Sequence, residues 1–229
     1  MKLNLHFLEA EGSLAGWRDQ LGEEATVLVE QIDSIVPARL HGHAVDVVIQ
    51  YLPQDCVEGL AMGGSCYRRG MVSIALDPDA ECFSHNFERG FFRRTLAHEL
   101  HHSMRWNSCG YGMRLGEALV SEGLADIFSE LVSGTETPAW SNALETDEWP
   151  MLLERAEREI DSESYDHGEW FFGTGELPRW AGYTLGYHLA CHYAHKNPKA
   201  VATGLVDVPA EAVVARWNEM KAAVAASQG

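Results

Sequence analysis

The chain has 229 residues, 46% hydrophobic and 22% charged, the composition of an ordinary globular protein long enough for one sizeable core. Its 34 acids against 17 basic residues leave a net charge of −17, which argues against nucleic acid as a partner because phosphate contacts need the opposite sign. No stretch approaches the roughly 20 apolar residues of a membrane span, the first residues lack a secretion signal, and the five cysteines form no Cys-x-x-Cys pair, so the expectation is a reduced, cytoplasmic protein without a membrane partner.

Taken in order, Leu21, Ala25, Leu28, Ile32 and Ile35 recur at helical spacing and predict a helix over about 15–36, stopped by Pro37. Residues 45–51 are β-branched and read as a strand. Residues 52–70, with Gly59, Gly63, Gly64 and Gly70, read as an irregular loop or a short edge strand, and 71–76 alternate as another strand. Helices follow at about 86–106 and 113–133, near 147–161, and from about 180 to 195 beyond a glycine- and aromatic-rich loop, with Pro209 near the start of a last one. No repeat or linker interrupts them. The reading is one α+β domain over 1–229, with helix and sheet to about 85 and mainly helices from about 86. Between Glu145 and Glu169 there are ten acids against Arg155 and Arg158, read as a solvated face.

Chemistry concentrates in the run Thr95-Leu96-Ala97-His98-Glu99-Leu100-His101-His102, which is His-Glu-x-x-His on a helix. At about 100° per residue, His98 and His102 stand one turn apart on one face and can grip one zinc ion, with Glu99 placed to reach a water on its open side. His101 can in principle pair with His98 instead. A catalytic zinc generally takes a third protein ligand. Separated from His102 by nineteen residues, Glu122 stands on the second helix, with Glu117, Asp126 and Glu130 as rivals. A turn-forming stretch, Asn107 to Gly112, permits the two helices to run antiparallel, and Gly123 and Ala125 permit close approach. Asp126, one turn beyond Glu122, is the candidate to accept the second ring N–H of a ligand histidine and fix its tautomer.

His98-Glu99-Leu100-His101-His102, Ser121-Glu122-Gly123-Leu124-Ala125 and, more weakly, Ala181 to Tyr187 resemble a family of predicted zinc-dependent proteases, a domain of unknown function whose metal site is similar to that of the thermolysin-like gluzincins. The resemblance extends over about 45–195. It implies a zincin-like α+β fold, with a small N-terminal antiparallel or mixed sheet before the helices that carry the metal site. It implies one Zn2+ held by His98, His102 and Glu122, with Glu99 as general base. It also implies a sheet edge onto which an extended peptide adds, for which Gly59 to Gly64 or Met71 to Leu76 are the candidates.

The expected activity is therefore hydrolysis of a peptide or protein substrate by a zinc metallopeptidase, Glu99 moving the proton of the activated water to the leaving amine. An oxyanion donor has to come from outside the two helices. Tyr183 is the candidate, with His188 and Tyr187 behind it, although both tyrosines also suit a core helix face. Arg179 is a candidate for a substrate carboxylate. The remaining histidines (His6, His41, His43, His85, His167, His192, His195) have no telling partner spacing. Two other readings use the same ligands: a zinc hydrolase of a non-peptide amide or ester, and a non-catalytic zinc-stabilised interaction domain closed by Cys109. The presence of Glu99 argues against the closed site, which has no use for a base.

Overall fold

The computed structural model describes residues 1–42 and 44–227; His43 lies outside them. The chain forms two compact units, one of Met1–Gly110, Phe128–Glu136 and Ala202–Val206, the other of Tyr111–Ile127, Thr137–Val201 and Asp207–Gly229. All four strands and one long helix fall within the first 76 residues and the chain is mainly helical after them, an α+β arrangement as expected.

The first unit is built on a mixed four-stranded sheet in the order β1 (Lys2–Leu8), β2 (Ala44–Tyr51), β4 (Met71–Leu76), β3 (Met62–Arg68). β1, β2 and β4 are parallel, and β3 returns antiparallel on β4 through a turn at Gly70, whose φ is +75°. In β2 the side chains of Val45, Val47 and Ile49 alternate into the core, the period of two that a pleated strand imposes. The joining helix α1 (Arg18–Ile35) buries Leu21, Ala25, Leu28 and Ile32, one stripe at spacings of three and four. Each of the Val, Leu and Ile side chains among these contributes about 1.5–3 kcal/mol on burial.

β1 is an element that the periodicity missed: its alternation from Lys2 to Leu8 is short, and its pairing partner lies some forty residues on, Lys2 opposite Ala44. The helix expected over 86–106 is two, α2 (Phe83–Glu88) and α3 (Phe91–Arg105), because Gly90 between them has a φ of +80°, a left-handed turn no helix carries. α3 packs on β3 and β4, and α1 and α2 pack on α3. Trp17, Phe83, Phe87 and Phe92 form an aromatic cluster with ring centroids 4.8 to 6.1 Å apart. Of the two segments proposed as a peptide-binding edge, Met71–Leu76 is interior to the sheet. The edge is β3.

α4 (Leu115–Ser133) contributes residues to both units. The second unit holds its first part, α5 (Trp149–Glu159), α6 (Ala181–Lys196), and the shorter α7 (Pro198–Val201), α8 (Ala210–Val214) and α9 (Trp217–Ser227). α6 is the hub, packing on α7, α8, α9, a 3-10 turn at Ala139–Asn142 and a π-helical turn at Gly168–Phe172. The π-helical turn occupies part of the stretch expected to be loop. Gly123 of α4 and Gly186 of α6 let two backbones touch: a Cβ at Gly123 would overlap the Gly186 carbonyl, and one at Gly186 the Leu119 carbonyl. Among the described residues no helix is long and apolar enough to cross a membrane.

Candidate metal centre

α3 is buried nearly throughout, with Phe92, Leu96, Ala97, Leu100 and Met104 filling the core. Burial therefore extends to its polar residues, and the price of sequestering them calls for partners or a metal. His98 and His102, both buried, stand one turn apart with ring centroids 4.8 Å apart and planes at 80°. Their Nε2 atoms face each other at 3.1 Å. Tetrahedral zinc with Zn–N bonds of about 2.0 Å sets its ligand nitrogens about 3.3 Å apart, so the pair fits one ion.

His101 points elsewhere. It is fully buried, lies 5.0 Å from the Phe128 ring, and burial, followed by the Arg105 charge, pushes its pKa well below the ordinary value. It is a neutral core residue, and the alternative pairing of His98 with His101 finds no support.

Glu99 is buried beneath β3. A Cβ at Gly64 would lie 2.7 Å from Glu99 Oε1 and 2.6 Å from its Cγ, so the edge strand passes over the carboxylate only because residue 64 has no side chain. The neighbouring Cys66 thiol is pushed up to about 12, first by burial and then by the Glu99 charge. Glu99 is thus a buried acid under the face of β3, an edge strand whose Met62 carbonyl is already taken by the Val57 N–H.

Glu122 stands on α4, and its Oε1 accepts a 2.7 Å hydrogen bond from the Tyr111 hydroxyl. The turn before α4 is tied down at several points. Glu117 accepts from the backbone N–H of Met113 at 2.7 Å and Arg114 at 2.9 Å, one half of a capping box, and the Ser121 hydroxyl donates to the Tyr111 carbonyl at 2.9 Å. Burial, then the Glu122 charge, raises the Tyr111 pKa well above its ordinary value. Two more groups feel Glu122: Tyr165, pushed up to about 12 by burial and that charge, and His167, lowered by burial against the opposing pull of Glu122. Tyr165 and His167 meet hydroxyl to Nδ1 at 3.2 Å, and His167 stacks on Phe171 at 4.5 Å. The spacing arguments missed Tyr111, Tyr165 and His167. The last two belong to the acidic stretch read as a solvated face.

Tyr183 lies in the same aromatic neighbourhood, 5.1 Å from Phe171 and 6.2 Å from Trp140. The two residues ranked behind it have structural partners: Tyr187 meets the Thr137 hydroxyl at 3.3 Å, and His188 meets Asn142 Oδ1 at 3.2 Å and packs on Trp149. Arg179 lies over the Trp180 ring at 4.4 Å. Asp126 is fully buried and accepts from Trp140 Nε1 at 3.0 Å and Ser141 Oγ at 2.9 Å, which orient its carboxylate.

One ligand atom from each of His98, His102 and Glu122 lies within 4.8 Å of the others, and all three residues are buried. Among the described residues no other His, Cys, Asp or Glu trio gathers in this way, so Glu117, Asp126 and Glu130 stand outside it. So does Cys109, which is exposed.

A family model described as a predicted Zn-dependent protease, a domain of unknown function, matches residues 59–215. No curated protein and no solved structure matches the chain.

Proposed function

The chain belongs to the family of predicted Zn-dependent proteases, and from this premise we propose that it is a zinc-dependent metallopeptidase of the gluzincin type. The observation that carries the reading is the buried His98–His102–Glu122 group, with Glu99 on the same helix as the two histidines. These three residues would hold one Zn2+. Bound there, zinc supplies Lewis acidity toward a carbonyl oxygen and a water. Glu99 takes the proton of the attacking water and passes it to the leaving nitrogen. Tyr183 donates to the developing oxyanion. An extended peptide or protein segment pairs its main chain with the edge strand β3 beyond Met62, which brings its scissile bond toward Glu99.

Charge and cysteine chemistry are in keeping with this. The net charge of −17 disfavours nucleic acid as substrate, and the five cysteines are all free, which suits a reducing compartment such as the cytoplasm. A closed structural zinc site would need a fourth protein ligand, and the cysteine nominated for it, Cys109, is exposed.

The test is mass-spectrometric analysis of a diverse peptide mixture incubated with zinc-loaded protein, with Glu99→Gln as control. New termini generated by the wild type alone, and lost on chelation, are the expected result. Tight zinc binding without cleavage of any peptide would turn the reading toward a non-peptide amide or ester.

A further inference from the structure

We propose that Tyr111 is a positioning residue for metal binding: its hydroxyl holds one oxygen of Glu122 and leaves the other as the single donor to the ion. The inference rests on the reading of Glu122 as a metal ligand and adds to it a residue outside both metal-site motifs.

The geometry is specific. A carboxylate offers two oxygens, and it fills either one coordination position or two. The Tyr111 hydroxyl donates to Oε1 at 2.7 Å, a charge-assisted bond that is stronger than one between neutral groups. The bond draws electron density from Oε1 and makes it the poorer donor to a cation, which favours ligation through Oε2. One-oxygen ligation preserves the open position that a hydrolytic zinc site requires, whereas a chelating carboxylate would compete for it.

Tyr111 is itself held. Its carbonyl accepts from Ser121, the fully buried residue just before Glu122, at 2.9 Å. Phenol and main chain are thus both anchored to adjacent positions of α4. On either side of Tyr111 sit Gly110 and Gly112, with φ of +75° and +95°, conformations that allow the chain to fold back on the helix it precedes. A Cβ at Gly112 would overlap the Glu117 side chain, whose carboxylate closes this turn. The loop therefore presents the phenol to Glu122 as a fixed donor rather than a freely rotating one. Partners of this kind, hydrogen-bonded to a ligand, typically change metal affinity 10- to 100-fold.

The experiment measures zinc affinity of the apoprotein by competition with a chromophoric chelator, alongside the visible spectrum of the Co2+-loaded protein. Tyr111→Phe, which removes one oxygen, is expected to weaken zinc binding about 10- to 100-fold and to shift the Co2+ bands. In a Glu122→Gln background the same substitution is expected to have little further effect, because it acts through that carboxylate. Ser121→Ala keeps the phenol but frees its main chain, and a several-fold weakening there reads the same device if Tyr111→Phe folds poorly. Wild-type affinity and an unchanged Co2+ spectrum for both single variants would overturn the proposal while leaving the zinc ligands intact. A wild-type protein that binds no zinc would overturn the ligand reading itself, and this proposal with it.

Discussion

Gly64→Ala separates the chemistry of this site from its stability. In β3 the added methyl would sit 2.7 Å from Glu99 Oε1, against the 3.4 Å or more of ordinary contact, so the carboxylate must retreat by about 0.7 Å. The closest atom is Glu99 Cγ at 2.6 Å, so the whole side chain must turn about its own bonds, which costs the fold less than a clash with backbone does. For a general base the same displacement is large: misplacement by about 1 Å costs on the order of 100-fold in rate, so a 10- to 100-fold fall in kcat is expected, about 1.4–2.7 kcal/mol of transition-state stabilisation. The adjacent glycine is the internal comparison. A methyl at Gly63 would overlap the Asp55 backbone carbonyl, which has no side-chain freedom to yield, so Gly63→Ala is expected to destabilise the fold by about 1–3 kcal/mol. The assay is hydrolysis of one peptide identified in the cleavage survey, with kcat and KM resolved, beside thermal melts of both variants. A Gly64→Ala protein with unaltered kcat, or one that melts as early as Gly63→Ala, would refute the placement of Glu99 beneath the edge strand.

Alkylation by iodoacetamide at pH 8, followed by peptide mass mapping, should modify exposed Cys109 well before Cys56 and Cys66, whose thiols are pushed up to about 12 chiefly by burial; at that pH only roughly one in ten thousand of them is thiolate. Lys196, His192 and Arg216 hold Glu219 down to about 2, so its contribution to stability is complete above the ordinary carboxylate value near 4.5 and is lost as pH falls from there toward 2. Melting temperatures recorded from pH 5 to pH 2.5 should consequently drop less steeply for Glu219→Gln than for the wild type. Gly123→Ala should lower stability by about 1–3 kcal/mol in urea denaturation, because its methyl would meet the Gly186 backbone of α6, which cannot rotate aside.

The portions of this protein legible in its sequence are those in which spacing along the chain becomes spacing in space. A helix converts positions 98 and 102 into neighbours, so two imidazoles facing at 3.1 Å follow from a five-residue motif. β2 and β4 were readable from β-branched alternation, and α1 from its stripe of Leu21, Ala25, Leu28 and Ile32. Where neighbours are made by tertiary folding, linear spacing is silent. β1 earns its place only by pairing with β2, and Gly90 divides the predicted ligand helix through a backbone angle that residue type alone does not dictate. The same distinction applies around Glu122. Its position, separated from His102 by nineteen residues, is a helical-hairpin inference; the hydroxyl that holds it comes from a turn that looked like connection alone. Tyr165 and His167 were hidden for a related reason: their acidic neighbours suggested solvent, although Tyr165 is half-buried and both interact with Glu122. Motifs therefore reveal the atoms that would hold a metal, because those must recur at fixed steps on rigid elements. The groups that tune those atoms need only arrive at the right place, and any segment of the chain can deliver them.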